Sequence, residues 1–328
     1  MYDNLGRRIE YVRISVTDLC NLRCRYCMPE EGVPKLRHED ILSYEEILRL
    51  VRCFAKLGAR KIRLTGGEPL VRAGILDLIK EIKCIPGIEI VVLTTNGVLL
   101  PQMAEKLKAA GLDYINVSLD TLDETAFFRL TRRRDLPAVR EGLKALKEAG
   151  FRHTRINCVP LRGINEADIP QLAEMARNEE INVRFIELMP VGCAYEAGLE
   201  RIPMAEVRQI LQSSFGTLQE AKARESLWGP AEYVRPAGFK GKLGFIDAME
   251  HKFCSSCNRL RLTAEGFLKL CLHSSAGLDL RTLLRNGITD EDLIEAIANA
   301  ARKKPAEHLF SAIEQRERDS RYMYQVGG

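Results

Sequence analysis

Short runs rich in β-branched and other apolar residues recur at 11–16, 61–65, 89–95, 114–119, 154–159 and 183–188, and they alternate with stretches of helical spacing. That alternation predicts repeated β/α units on a parallel sheet. Six such units fit an open partial barrel or a doubly wound sheet. Helix ends are marked in the same region. Ser43 followed by Glu46 has the spacing of a capping box, and Gly58 sits where that helix must stop. Pro101 and Pro137 open two further helical patterns that end at Gly111 and Gly150. After Met189 the pattern breaks into shorter pieces around Pro190, Gly192, Gly216, Gly229, Pro236 and Gly244. A boundary is therefore expected within 190–203, dividing the chain into 1–195 and 196–328. The charged stretch 303–321 reads as a helix that frays into Gly327 and Gly328.

A chain of 328 residues can bury one large α/β core with a smaller appended unit. Its formal charge of +4 gives no global field of the kind that advertises nucleic-acid or membrane binding, so any basic site is local. The opening residues lack the apolar stretch of a signal peptide, no run approaches membrane-spanning length, and a cytoplasmic setting is expected. Ten cysteines in a reducing compartment point to metal or cluster ligation rather than disulfides. Six fall into two tight sets. Cys53, Cys84, Cys158 and Cys193 stand alone and read as small buried apolar residues.

The first set, Cys20-x3-Cys24-x2-Cys27, follows directly on the first strand, at the edge where α/β folds build active sites. Three thiolates leave one iron of a [4Fe-4S] cluster able to bind something else. A zinc site completed by His38 or a distant residue is the competing reading, but three ligands crowded into eight residues suit a cluster better. The string Cys20-Asn21-Leu22-Arg23-Cys24-Arg25-Tyr26-Cys27 resembles the signature of the radical S-adenosylmethionine (SAM) superfamily, in which the open iron chelates SAM. Thr65-Gly66-Gly67-Glu68-Pro69 ends the second strand, where adjacent glycines allow a close approach to the backbone. Alone it is a tight turn; with the cysteines it resembles the superfamily's SAM-amino-group motif. The same resemblance implies SAM contacts from Tyr26, Gly67, Ser118 and Met189.

Lys61, Arg63 and Thr65 share one face of the second strand, and Arg13, Arg155 and Arg184 lie on three others. Cations confined together cost several kcal/mol each unless compensated. Glu68 and Glu187 are candidate partners for any one of them; as a set they favour a phosphorylated substrate. Arg129 and Arg132-Arg133-Arg134 read as a solvated run without a function.

The second set, Cys254-x2-Cys257-x13-Cys271, fits a zinc site completed by His251 or His273 as well as a cluster. Asn258-Arg259-Leu260-Arg261 beside it tips the balance, because its two arginines project to one side of an extended segment and suit an anionic ligand on an open iron. Both cysteine sets, Lys61 to Pro69, Arg184-Phe185-Ile186-Glu187-Leu188-Met189-Pro190, the Asn258 to Arg261 string and the terminal glycines together resemble the GTP 3′,8-cyclase family of molybdenum cofactor biosynthesis. This resemblance covers essentially the whole chain. It implies a lyase with a partial (β/α)6 TIM-like barrel and a smaller C-terminal domain closing the open side. It also implies two [4Fe-4S] clusters, the second binding the guanine of GTP, and catalytic roles for Arg13, Cys20, Cys24 and Cys27.

In the family a 5′-deoxyadenosyl radical takes hydrogen from ribose C3′, the carbon radical attacks C8, and reduction and protonation give 3′,8-cyclo-7,8-dihydroguanosine triphosphate. Arg13, Arg63, Thr94, Arg259 and Arg261 match its GTP contacts, with Lys61, Arg184 and Arg155 as further anion binders. Arg155 stands where the family usually has lysine, a point charge in place of a planar fork. The resemblance also implies that the Gly327-Gly328 tail reaches the active site near Arg13, that an external electron donor is needed, and that cyclic pyranopterin monophosphate synthase is a functional partner. The sequence does not choose between monomer and homodimer. Two other readings are a peptide-modifying radical enzyme, which would usually carry more C-terminal cysteines, and a zinc-dependent nucleic-acid-binding protein, which the charge balance disfavours.

Overall fold

The computed structural model describes residues 1–33, 36–194, 197–221, 229–308, 310 and 321–327. Six strands carry the expected repeats: β1 (Tyr11–Ser15), β2 (Lys61–Thr65), β3 (Ile90–Thr95), β4 (Tyr114–Ser118), β5 (Arg155–Cys158) and β6 (Asn182–Ile186). They pair in chain order and in parallel. The C-terminal part adds β7 (Leu218–Glu220), β8 (Glu232–Pro236), β9 (Lys242–Ile246), β10 (Arg259–Leu262), β11 (Phe267–Lys269) and β12 (Gly277–Asp279). These strands do not form a sheet of their own. β9 pairs in parallel with β6 and β10 in parallel with β1, so the C-terminal part extends both edges of the barrel sheet.

Helices α1 (Tyr44–Lys56), α2 (Ile75–Lys83), α3 (Leu100–Ala109), α4 (Glu124–Thr131), α5 (Leu136–Glu148) and α6 (Ile169–Glu174) belong to the barrel. Then come α7 (Met204–Phe215), α8 (Leu280–Arg285), α9 (Asp290–Arg302) and the short α10 (Met323–Val326). The capping box of α1 forms as read: Ser43 Oγ accepts from Glu46 N at 3.2 Å, and Glu46 returns a carboxylate to Ser43 N at 2.8 Å. The stretch 303–321 falls largely outside the described residues, and α9 ends just before it.

The two faces of the sheet differ in kind. Val12 and Ile14, Ile62 and Leu64, Val91 and Leu93, Ile115 and Val117, Ile156, Val183 and Phe185 all enter one continuous apolar core. Each fully buried aliphatic side chain there contributes about 1.5–3 kcal/mol. Alternation then forces the intervening residues onto the concave face, and besides Tyr11 and Val92 those include Arg13, Lys61, Arg63, Thr94, Asn116, Arg155, Asn157, Arg184, Arg259 and Arg261. The stability of the fold thus rests on its outer layer, leaving the inner face free to be polar. Among the lone cysteines, Cys53, Cys158 and Cys193 are buried as expected; Cys84 corrects the expectation, because it caps the C-terminus of α2 at the surface. Among the described residues no helix is long and apolar enough to cross a membrane.

Candidate active site

Cys20, Cys24 and Cys27 lie on the loop that leaves β1. Cys27 N and Met28 N both donate to Cys24 O, at 2.9 and 3.0 Å, which folds the ligand segment tightly on itself. Cys20 Sγ accepts from Leu22 N at 3.4 Å and from Asn96 Nδ2 at 3.7 Å, and Asn96 also donates to Asn21 Oδ1 at 2.7 Å. Burial pushes the Cys20 thiol up to about 11 and Cys24 well above the usual thiol range, where Cys27 and Cys20 add to the effect. Cys27 is also raised by burial and by Cys20. Three partly buried thiols on one short loop, with N–H groups aimed at the sulfur of Cys20, form a donor set that a metal cluster would stabilise as thiolates. Among the described residues no three His, Cys, Asp or Glu side chains are arranged to hold a single metal ion. Of the three histidines considered for a zinc site, His38 and His251 are exposed and His251 Nδ1 lies 2.5 Å from Asp247 Oδ2, whereas His273 lines the cavity that holds Cys254, Cys257 and Cys271, with neither ring nitrogen hydrogen-bonded among the described residues.

The Gly66-Gly67 pair does something the sequence did not disclose. What approaches these glycines is the cysteine loop itself. A β-carbon on Gly67 would overlap the carbonyls of Asp18 and Leu19, and one on Gly66, at φ +151°, would overlap Thr17. Gly67 N donates to Thr17 O at 2.8 Å and Glu68 N to Leu19 O at 2.7 Å. Glu68 is not a partner for the barrel cations. Its carboxylate accepts from Leu70 N at 3.0 Å, Thr95 Oγ1 at 2.8 Å and Asn96 N at 2.7 Å, pinning the ends of β2 and β3 together. Burial holds it up at about 7. Glu187 is likewise committed elsewhere, to Arg201 and to Met249 N.

One cavity of about 240 Å³ at the C-terminal ends of the strands gathers most of the expected residues. Arg13, Arg63, Arg184, Arg259 and Arg261 line it, together with Tyr26, Ser118 and Met189 and with Cys254, Cys257 and Cys271. Register explains the crowding, since Arg13 stands directly beside Arg63 on β2 and Arg261 on β10. Burial depresses the guanidinium groups of Arg13, Arg63 and Arg261, with Arg261 adding to the effect on Arg13 and Arg259 to that on Arg261, an arrangement that favours an anionic guest. Arg184 donates to Asn157 Oδ1 at 2.6 Å, and Arg63 Nη1 lies 3.5 Å from Thr94 Oγ1. At Cys257 burial raises the thiol, but Arg259 and Lys304 outweigh it and bring the group down to about 6.

Lys61 and Arg155 stand apart from this cavity. Both begin their strands, and Arg155 lines a second cavity at the opposite end with Tyr114, Asn182 and Lys242. Two further features complete the site. Tyr26 OH donates to Asp120 at 2.7 Å, and Asp120 also accepts from Val159 N at 2.8 Å. Asp120 was missed in the sequence, although its position just past the end of β4 is a signal that could have found it. The tail reaches the inner face too: Arg261 Nη1 donates to Gly327 O at 2.6 Å, and Gly327 packs against Thr65. Gly328 lies outside the described residues.

A family model described as Radical SAM superfamily matches residues 14–176, and one described as Molybdenum Cofactor Synthesis C matches 181–310. Curated relatives named GTP 3′,8-cyclase include those of Clostridium perfringens (strain SM101 / Type A) and Moorella thermoacetica, each 44% identical over the full length of both chains. A third, from Syntrophomonas wolfei, is 45% identical over the same span. Among solved structures, Streptococcus suis SuiB bound to S-adenosylmethionine shares the fold, with a TM-score of 0.62 at 17% identity over 90% of this chain and 68% of that one. Full-length identity at this level, with both family models in order along the chain, establishes that it belongs to the GTP 3′,8-cyclase family of radical SAM enzymes.

Proposed function

We propose that this chain cyclises GTP to (8S)-3′,8-cyclo-7,8-dihydroguanosine 5′-triphosphate, the first step of molybdenum cofactor biosynthesis. The observation that carries this reading is one cavity lined together by Tyr26 of the cysteine loop, by Cys254, Cys257 and Cys271, and by five arginines. In this reading Cys20, Cys24 and Cys27 hold one [4Fe-4S] cluster, and the C-terminal trio holds a second that takes the guanine. When bound, the first cluster and SAM supply the radical that removes hydrogen from the ribose.

The chain's own work is to hold and neutralise. Asp120 and Val159 fix Tyr26, which with Ser118 and Met189 forms the SAM side of the cavity. Gly67, whose N–H is committed to Thr17, would meet SAM through its carbonyl. Arg13, Arg63, Arg259 and Arg261 with Thr94 contact GTP, Arg184 adds a further cation in the same cavity, and Lys61 and Arg155 serve as outlying anion binders at the strand starts. Neutralising a triphosphate in a confined space requires several fixed cations, and pre-placing them removes reorganisation from the reaction. An external one-electron donor, a cytoplasmic setting and a functional link to cyclic pyranopterin monophosphate synthase complete the reading.

Lys61 offers a check on the anion site. Burial, then Arg63, Arg155 and Arg184, brings its pKa down to about 5. A triphosphate beside it favours the ammonium form, so binding at pH 7.5 should draw in close to one proton. Affinity should therefore weaken as pH rises through neutrality, and the uptake should fade as pH drops through about 5, where free Lys61 itself becomes charged. Calorimetry of GTP binding in buffers of different ionisation enthalpy measures the uptake, and Lys61→Met should abolish it.

The function is tested by incubating anaerobically reconstituted protein with SAM, a strong reductant and GTP deuterated at C3′. Deuterium in the 5′-deoxyadenosine, together with a cyclised nucleotide, is the expected result. SAM cleavage without label transfer from GTP would reject the substrate while leaving the radical chemistry standing.

A further inference from the structure

Arg132 belongs to the basic run that reads in sequence as a solvated face, yet its backbone and its side chain are both committed. Among the described residues it is the one non-glycine position with positive φ, at φ 56° and ψ 25° as the C-cap of α4. Arginine adopts that conformation against its steric preference, whereas glycine would do so freely.

The helix end it caps is joined to the cysteine loop. The final carbonyls of a helix lack intrahelical partners. Here Leu130 O accepts from Arg25 N and Thr131 O from Arg23 N, both at 2.9 Å. Cys24 is therefore flanked by two loop amides, those of Arg23 and Arg25, that donate to carbonyls at the end of α4. The guanidinium of Arg132 closes the circuit in the other direction, donating to Arg23 O at 2.9 Å and Met28 O at 3.4 Å, with Glu30 at 3.6 Å.

We infer that Arg132 is a positioning residue for the first cluster: its left-handed turn brings the guanidinium back onto the loop and clamps the segment carrying Cys24 and Cys27 to the C-terminal end of α4. The inference rests on the cluster reading above. Two consequences follow from the geometry. The loop is held in ligating form before any metal arrives, because its amides and carbonyls are satisfied by protein groups. A fixed cation also sits beside the loop, and positive charge near a cluster favours its reduced, more negative state.

Arg132→Gly keeps the turn, relieves its steric strain and removes only the clamp; Arg132→Lys keeps the charge without the planar fork. In metal-free full-length protein, amide hydrogen exchange at Arg23 and Arg25 should quicken about tenfold in Arg132→Gly, as expected for losing a charge-assisted hydrogen bond. Exchange at core amides such as Ile62 should not change, which separates the effect from global destabilisation. After reconstitution in a Cys254→Ala/Cys257→Ala/Cys271→Ala background, the midpoint potential of the remaining cluster should fall in Arg132→Gly and recover in Arg132→Lys. If wild type takes up no iron, the cluster reading fails while the metal-free measurement still decides the clamp. Equal exchange at Arg23 and Arg25 in wild type and Arg132→Gly overturns the inference.

Discussion

Replacing Cys254, Cys257 and Cys271 together with alanine should lower the iron of anaerobically reconstituted protein from about eight atoms per chain to about four, and should abolish cyclisation. The two cysteine trios sit on different supports, so one should survive loss of the other. Cys20 is held by Leu22 N and Asn96, and its loop by hydrogen bonds from Gly67 N and to the end of α4. Cys254 and Cys257 lie on a short 3₁₀ turn ahead of β10, and Cys271 follows β11. The environments differ electrostatically as well. Arg259 and Lys304 bring Cys257 down to about 6, whereas burial drives Cys24 and Cys27 upward. The remaining four irons should therefore keep the signal of a SAM-binding cluster, and SAM should still be cleaved slowly without cyclised product. Iron unchanged at eight, or zinc appearing at the C-terminal trio of wild type, would remove the second cluster and with it the reason for seating guanine there.

Much of this site could be read along the chain because its parts obey local rules. Strand alternation puts Lys61 and Arg63 on one face, and β10 carries Arg259 and Arg261 two residues apart on the same face. The capping box at Ser43 is likewise a matter of residues three apart. What could not be read depends on pairings between distant segments. β9 and β10 join β6 and β1 in parallel across long stretches of chain, and no local pattern records which edge a strand will take. The glycines of the Gly66-Gly67 turn were legible as places of close approach, but not the identity of what approaches. Glu68 was legible as an acidic candidate partner for the cations, yet its partners are Thr95, Asn96 and Leu70. Arg132 was hidden among neighbouring arginines, because a left-handed arginine leaves no mark in composition or spacing.

Gly327→Ala should reduce kcat/KM for GTP about 100-fold while leaving iron content and SAM binding intact. The position admits no side chain on two counts. Its φ is +75°, a conformation that costs an L-residue roughly 1–2 kcal/mol, and a β-carbon there would overlap Thr65 Cγ2. Alanine must therefore move, and the Gly327 carbonyl would leave Arg261, a hydrogen bond to a charged group that contributes about 1.5–3 kcal/mol. A 100-fold loss corresponds to about 2.7 kcal/mol, within reach of those two effects.

The rest of the tail should stay docked in this variant, because Tyr324 and Val326 are buried and Tyr322 fits against Gly192, where a β-carbon would meet it at 2.8 Å. The loss thus reports on Arg261 rather than on detachment. Arg261 stands beside Arg13 in register, so an unanchored guanidinium would also disturb the neighbouring cation to which we assign a GTP contact. Deleting Gly327 and Gly328 should cost more than the single substitution, since it removes the acceptor altogether. Steady-state kinetics beside iron analysis separates the cases: full activity in the truncation would show that the tail packs into the site without serving the reaction, and lost iron would show that it supports the clusters.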